Sequence, residues 1–202
     1  MSKRDLRIAN LVQPIKAYGK VQPKIANARL AKMRSVTGRE TNIRGSPWKL
    51  NLVCKFVAGL TVPDALQQLM FCNKQKAPLA FNVIKRTANL ASIRYGLAPS
   101  QLEVAECFST HGTPLKRINF HARGRSGKKL HRFSHFNVKL REIDWELKVA
   151  QAQSLHQKQR WFEKYLSSKE EAEMVKKEAE ELEELERLAE EQEMKRQANS
   201  KK

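Results

Sequence analysis

An α+β fold is predicted from three observations. Apolar residues recur at helical spacing in three blocks between Ser46 and Gly96, two segments around residues 102–107 and 136–141 alternate with period two, and no Gly or Pro occurs from Trp145 to the end.

Each helix has its own start and stop. Ser46-Pro47 is an N-cap followed by proline at the first helical position, and Leu50, Val53, Cys54 and Val57 mark one face before Gly59 ends it. A second, short helix begins at Thr61 with Pro63 in its first turn and is expected to bury Ala65, Leu66, Leu69 and Met70. The third runs from about Ala77 to Tyr95 with Ala80, Val83, Ile84, Thr87, Ala88 and Ala91 inward, and Gly96 is its C-terminal cap.

After Pro99 the period changes. Leu102, Val104 and Glu106 oppose Glu103, Ala105 and Cys107, and Phe136, Val138 and Leu140 alternate with Asn137, Lys139 and Arg141, as partner strands of one antiparallel pair would. More than twenty-five residues separate them, too many for an ordinary hairpin loop in a compact domain. Either the loop is disordered, or both strands continue as a ribbon beyond the core.

Glu, Lys, Ala, Leu, Met and Gln dominate from Ser168 onward, all strong helix formers. A thin stripe of Val175, Ala179, Leu182, Leu185 and Ala189 accompanies favourable pairs such as Glu173 to Lys177, Glu183 to Arg187 and Glu191 to Lys195. This is a long helix, either solvated or docked on a protein partner. Trp145, Leu147, Leu155, Trp161, Phe162, Tyr165 and Leu166 carry more apolar area and are expected to dock.

Of 202 residues, 39 are Lys or Arg and 21 Asp or Glu, a net charge of +18. Self-repulsion of that size calls for a polyanion, so nucleic acid leads the partner classes. The charge is uneven: residues 1–149 hold 28 basic and 8 acidic side chains, residues 150–202 hold 11 and 13. No long uncharged apolar run exists to span a bilayer. Cys54, Cys72 and Cys107 lack any pairing or zinc spacing and read as reduced, partly buried thiols. The first thirty residues oppose Lys3, Arg4, Arg7, Lys16, Lys20, Lys24 and Arg29 to one acid, Asp5, with Ile8, Leu11, Val12 and Ile15 at helical spacing. That composition suits an organelle-targeting segment, an RNA-binding arm, or both.

The function is carried by His111 to Arg141. Nine cations lie there, Lys116, Arg117, Arg123, Arg125, Lys128, Lys129, Arg132, Lys139 and Arg141, and no acid precedes Glu142. Such a projection repels itself in water and is expected to order only within a polyanion. His121-Ala122-Arg123-Gly124-Arg125-Ser126-Gly127 combines small residues with guanidinium groups that fork onto phosphates, and Phe120, His121, His131, Phe133 and His135 add rings able to stack on splayed bases. Candidate RNA contacts are Lys116, Arg117, His121, Arg123, Gly124, Arg125, Lys128, Lys129, Arg132 and His135, joined by Arg44, Lys49 and Arg86 of the body.

Ser46-Pro47-Trp48-Lys49, the helix-helix-helix-strand order, and Gly112-Thr113-Pro114-Leu115-Lys116-Arg117-Ile118 followed by Ala122-Arg123-Gly124-Arg125 and Ser134-His135 resemble the large-subunit ribosomal proteins of the L-twenty-two family over about residues 43–141. The resemblance implies three helices packed on a small antiparallel sheet with a long protruding β-hairpin, about residues 108–136, here with a long C-terminal helix added. It implies ribosomal RNA as partner, a domain near the polypeptide exit, and a hairpin that threads RNA to line the tunnel and meets the nascent polypeptide, with Arg123, Gly124 and Arg125 near its tip. The organisation expected is a basic extension over 1–42, an RNA-binding domain over 43–144 and a helical extension over 145–202, either solvated or reaching neighbouring large-subunit proteins. Phe120-His121 looks like the aromatic-His pair of mitochondrial members, and the two extensions also point to the mitochondrial matrix and its large ribosomal subunit. Late in the third helix the family's usual Asn-Ala is Leu90-Ala91, a departure that bears on a polar contact there.

Enzyme readings find no constellation. His131 and His135 have the spacing of a helical zinc pair but lie on a period-two segment without the Glu of HExxH. Asp64, Glu103 and Glu106 are the only acids between Glu40 and Glu142, so no carboxylate cluster could hold Mg²⁺. Ser109 near His111 lacks a third orienting group and reads as a turn residue. No cofactor is implied. The rival function is a basic RNA-binding or protein-interaction scaffold outside the ribosome.

Overall fold

The computed structural model describes residues 2–12 and 21–200, with side chains throughout except Glu183, Glu186 and 189–200. In order, the elements are α1 (Lys3–Val12), α2 (Pro23–Lys32), β1 (Ser35–Arg44), α3 (Pro47–Val57), α4 (Val62–Met70), α5 (Ala77–Tyr95), β2 (Leu102–His111), β3 (Leu115–Phe120), β4 (Ser126–His131), β5 (Phe133–Glu142), α6 (Trp145–Gln151) and α7 (Leu155–Ser200). The fold is α+β, as expected.

The sheet is antiparallel in the order β1-β5-β2. Its central strand β5 alternates strictly, so Phe136, Val138 and Leu140 are buried on one face, where α3, α4 and α5 pack. The inward residues of those helices are the ones their spacing specifies, with two adjustments. Met70 is 73% exposed, because Val62, Ala65 and Leu69 already fill the buried stripe of α4 and Met70 falls on its rim. Ser46 sits at the N-cap of α3 but its side chain makes no capping bond. Leu90 is half-buried against the core, and Gly96 ends α5 at φ +61°.

Two features of the sheet differ from the period-two reading. β1 takes in Ser35 to Asn42, residues the sequence assigns to the extension, and pairs Val36 with Leu140 and Gly38 with Val138. A bulge at Ala105 in β2 puts two residues opposite one, so Glu106 turns outward and Cys107 packs on the core instead. Ser109 is a strand residue whose hydroxyl donates to the Pro47 carbonyl at 2.7 Å, fastening β2 to α3. All three thiols are free, Cys54 buried and Cys72 and Cys107 half-buried.

A second core lies apart from the first. Ile8 of α1, Ile143, Trp145 and Val149 of the α6 region, and Tyr165 of α7 are buried together, with Leu11, Val12, Trp161 and Phe162 against them. Trp145 meets Tyr165 and Trp161 at ring-centroid distances of 5.8 and 6.4 Å, within the range of favourable tilted aromatic pairs. The aromatic residues expected to dock therefore do so on the chain's own N-terminal helix. Ile15, Lys16 and Lys20 lie outside the described residues. Asp5, buried, accepts from the Tyr165 hydroxyl and from Lys169 at 2.9 Å. Arg29 of α2 clamps Asp144 at 2.8 Å and Glu146 at 3.1 Å, while Asp144 caps α6 by accepting from the Leu147 amide.

The Tyr165 hydroxyl, Lys169 and the Ser2 amide hold the Asp5 carboxyl well below its ordinary 3.8. Burial, then the bond to Asp5, pushes Tyr165 up to about 12. A depressed acid stabilises above its unfolded pKa and loses that contribution as pH falls through the folded value. Tyr165, raised, contributes below its unfolded value near 10 and loses it as pH rises toward about 12. Docking of α1 should therefore hold from about pH 4 to about pH 10 and loosen outside that window. Indole emission in a Trp48→Phe background reads this out through Trp145 and Trp161. An emission unchanged from about pH 6 down to about pH 2.5 would remove Asp5 from the account.

Candidate nucleic-acid interface

The ribbon begins where β2 and β5 leave the sheet. At its root the ladder slips by one residue, because Gly112, Thr113 and Pro114 stand opposite only Arg132 and Phe133 before pairing resumes at Leu115 and His131. Pro114 has no amide to donate, while the Gly112 amide donates to the Phe133 carbonyl at 2.8 Å. Close approach favours glycine here, since a Cβ on Gly112 would lie a tight 3.2 Å from Phe133 backbone atoms. The second ribbon, β3 with β4, then pairs continuously to Phe120 and Ser126.

At the tip the Arg125 amide reaches the Ala122 carbonyl at 3.4 Å, and the His121 amide donates to the Arg125 carbonyl at 2.8 Å. Arg123 and Gly124 have φ of +57° and +68°, the two left-handed central residues of a type I′ turn, whose twist matches that of the strands. Glycine adopts this conformation freely, whereas Arg123 carries strain on the order of 1 kcal/mol. The type I′ geometry itself requires the left-handed conformation at this position and leaves Arg123 at the exposed tip. The His121 ring lies against Gly127, where a Cβ would come within 2.4 Å of its Nε2.

Electrostatically the ribbon is unfinished. All six residues of β3 are exposed, Phe120 by 84%. Among the described residues, Lys116, Arg117, Arg123, Arg125, Lys128, Lys129 and Arg132 form no ion pair within the chain; Arg117 only donates to the neighbouring Lys116 carbonyl. Arg117 stands directly opposite Lys129, a like-charge pair that destabilises a ribbon in water. Lys116, Ile118 and Phe120 share one face with Lys128, and Arg117 and Lys129 occupy the other. Cations on both faces suit a ribbon surrounded by polyanion, not one laid across it.

The body candidates and His135 fall into two groups. Arg44 and Lys49 line a cleft of about 570 Å³ at the ribbon root with Lys74, Lys76 and Ser134. Neither Lys74 nor Lys76 was marked by sequence; their signal is the polar run Asn73 to Lys76 before Pro78. Trp48, 72% exposed beside Lys49, is a further ring open to stacking. The second group is already engaged. Arg86 pairs with Glu40 at 2.8 Å, and His135 Nδ1 accepts from the Asn42 amide at 3.2 Å within the irregular end of β1, which leaves only Nε2 for an outside partner. Among the described residues no helix is long and apolar enough to cross a membrane, and no three His, Cys, Asp or Glu side chains gather to hold a metal ion.

Residues 38–141, from β1 to the end of β5, match the family model described as Ribosomal protein L22p/L17e. The chain is 36% identical over 101 residues to large ribosomal subunit protein uL22 of Thermomicrobium roseum, covering 50% of this chain and 86% of that protein. It is 37% identical to uL22 of Methylocella silvestris over 50% of this chain and 79% of that one. Large ribosomal subunit protein uL22m of Drosophila melanogaster is 36% identical over 57% of this chain and 48% of its own length.

Proposed function

Since this chain belongs to the ribosomal protein L22p/L17e family and is a structural component of the large ribosomal subunit, not an enzyme, we propose that its work is to tie ribosomal RNA segments together with the β3–β4 ribbon. The single observation that carries this is the ribbon's charge: basic on both faces, with no internal counter-charge among the described residues. Each cation meeting a phosphate releases counterions, and the ribbon's shape selects the gap it fills. The tip, presenting Arg123, Gly124 and Arg125, lines the tunnel and meets the nascent polypeptide. The cleft of Arg44, Lys49, Lys74 and Lys76 holds the RNA strand at the root. The subunit is the mitochondrial one; the Phe120-His121 pair, the two extensions and the uL22m relatives support that reading.

Sedimentation tests it. A tagged chain in a mitochondrial lysate should co-migrate with the large subunit and collapse to the top of the gradient after RNase. A slowly sedimenting, RNase-indifferent pool would favour a scaffold outside the ribosome. Arg123→Ala with Arg125→Ala should reduce the salt slope of binding to large-subunit RNA by about 1.4 to 1.8, at roughly 0.7 to 0.9 per lost phosphate contact. It should also slow subunit maturation without altering the body's melting temperature. Normal assembly with an unchanged slope would take the tip out of the interface.

A further inference from the structure

The distal part of α7 belongs to neither core. Beyond Ala172 every described side chain is exposed, and among the described residues none after Lys169 is hydrogen-bonded or ion-paired to the body. At 1.5 Å per residue, residues 173–200 extend about 42 Å. Two properties of this strip are out of keeping with a helix meant only for water. Met174, Leu182, Leu185 and Leu188 are 61%, 60%, 62% and 54% exposed, and with Val175 they fall within about 140° of arc at 100° per residue. Ala, Glu or Lys would form the helix as well at those positions without offering apolar surface. The flanks, moreover, are acidic in a basic protein: residues 170–193 hold twelve glutamates against Lys176, Lys177 and Arg187.

That charge decides the occupant. RNA and anionic lipid are repelled, and a second α7 alongside would set glutamates against glutamates. The root of the helix, by contrast, is fixed: Tyr165 is buried in the second core, Ser168 donates to the Tyr165 carbonyl at 2.8 Å and Lys169 holds Asp5 at 2.9 Å. A strip leaving the body in a fixed direction loses little freedom when it docks.

We propose that distal α7 is a docking strip for a basic protein neighbour, whose apolar groove takes Leu182, Leu185 and Leu188 and whose lysines or arginines pair with the flanking glutamates. This rests on the ribosomal reading, in that the neighbour sits in the same subunit.

The test uses purified large subunits carrying the tagged full chain and carbodiimide coupling, which joins carboxylates directly to lysines. Mass spectrometry should find Glu180 and Glu184 coupled to lysines of one other ribosomal protein. Leu182→Asp with Leu185→Asp should lower that yield about tenfold or more, since the apolar centre of such a contact carries most of its free energy. Glu180→Lys with Glu184→Lys should lower coupling from the neighbouring Glu173 and Glu181 as well, while both variants stay in the subunit. Subunits that retain the chain but show no coupling from the strip, coupling only to a second copy of it, or ultraviolet cross-links from it to RNA would each overturn the proposal. Absence of the chain from large subunits would instead overturn the ribosomal reading.

Discussion

Gly38→Ala will destabilise the body by about 3 kcal/mol, at the upper end of what over-packing a core costs. A Cβ there would lie 2.0 Å from Thr87 Oγ1, 3.1 Å from Thr87 Cβ and 3.2 Å from Val138 Cγ1. Thr87 cannot swing aside, because it is buried in α5 and its hydroxyl donates to the Val83 carbonyl at 2.7 Å. Backbone must therefore part, and α5 lifts from β1. Urea unfolding followed by circular dichroism measures the loss. Thr87→Ala in the same chain removes the worst contact and should restore more than half of it. A single variant as stable as the parent would show that α5 does not lie this close to the sheet.

The second large effect is at Glu103. Its carboxylate, 3% exposed, accepts from Arg141 at 2.5 Å and from Lys148 at 2.7 Å, so one buried acid joins β2, β5 and α6. Breaking such a group by removing one partner costs about 3–5 kcal/mol when all members are buried. Here Arg141 and Lys148 keep 21% and 25% of their exposure and recover some hydration, so Glu103→Ala should lose about 2–3 kcal/mol. The loss should be local first, with indole emission from the second core changing before the helix signal of the main one. Glu103→Leu combined with Arg141→Leu and Lys148→Leu should come within about 1 kcal/mol of the parent, because no unpaired charge is then left behind beneath α6. Simultaneous melting of both cores in Glu103→Ala would mean that this carboxylate does not couple them.

The helices of the body were legible because proline opens each of them and a glycine closes α3 and α5, with apolar residues at one spacing between. β1 was not. Only Val36 and Ile43 of its ten residues are buried, and the irregularity between Glu40 and Ile43 breaks the period that would have revealed the second from the first. The Ala105 bulge is invisible to alternation for the same reason: a single inserted residue inverts every later side chain. The break between α6 and α7 was readable in principle, since Ser154 accepts from the Gln157 amide and Gln157 accepts from the Gln153 amide, a variant of the capping box. Within the site, the ribbon's cations were visible from the missing acids. Lys74 and Lys76 join Arg44 and Lys49 only when α3 and the loop before α5 meet at the ribbon root. Asp5 stands out in the sequence as a lone acid, but what it does depends on a tyrosine 160 positions away.

The offset at Gly112 to Pro114 makes the projection two stiff beams in series. Force arriving at Arg123 is carried along the unbroken β3–β4 ladder and reaches the root as a bending moment, where three residues face two and there is little ladder to shear. With fewer ladder bonds to break, the joint should yield before the register of β2 on β5 does. A protein built this way can be steered into a crooked channel while its anchor stays square to the sheet, and one arm can then fit passages of slightly different slope.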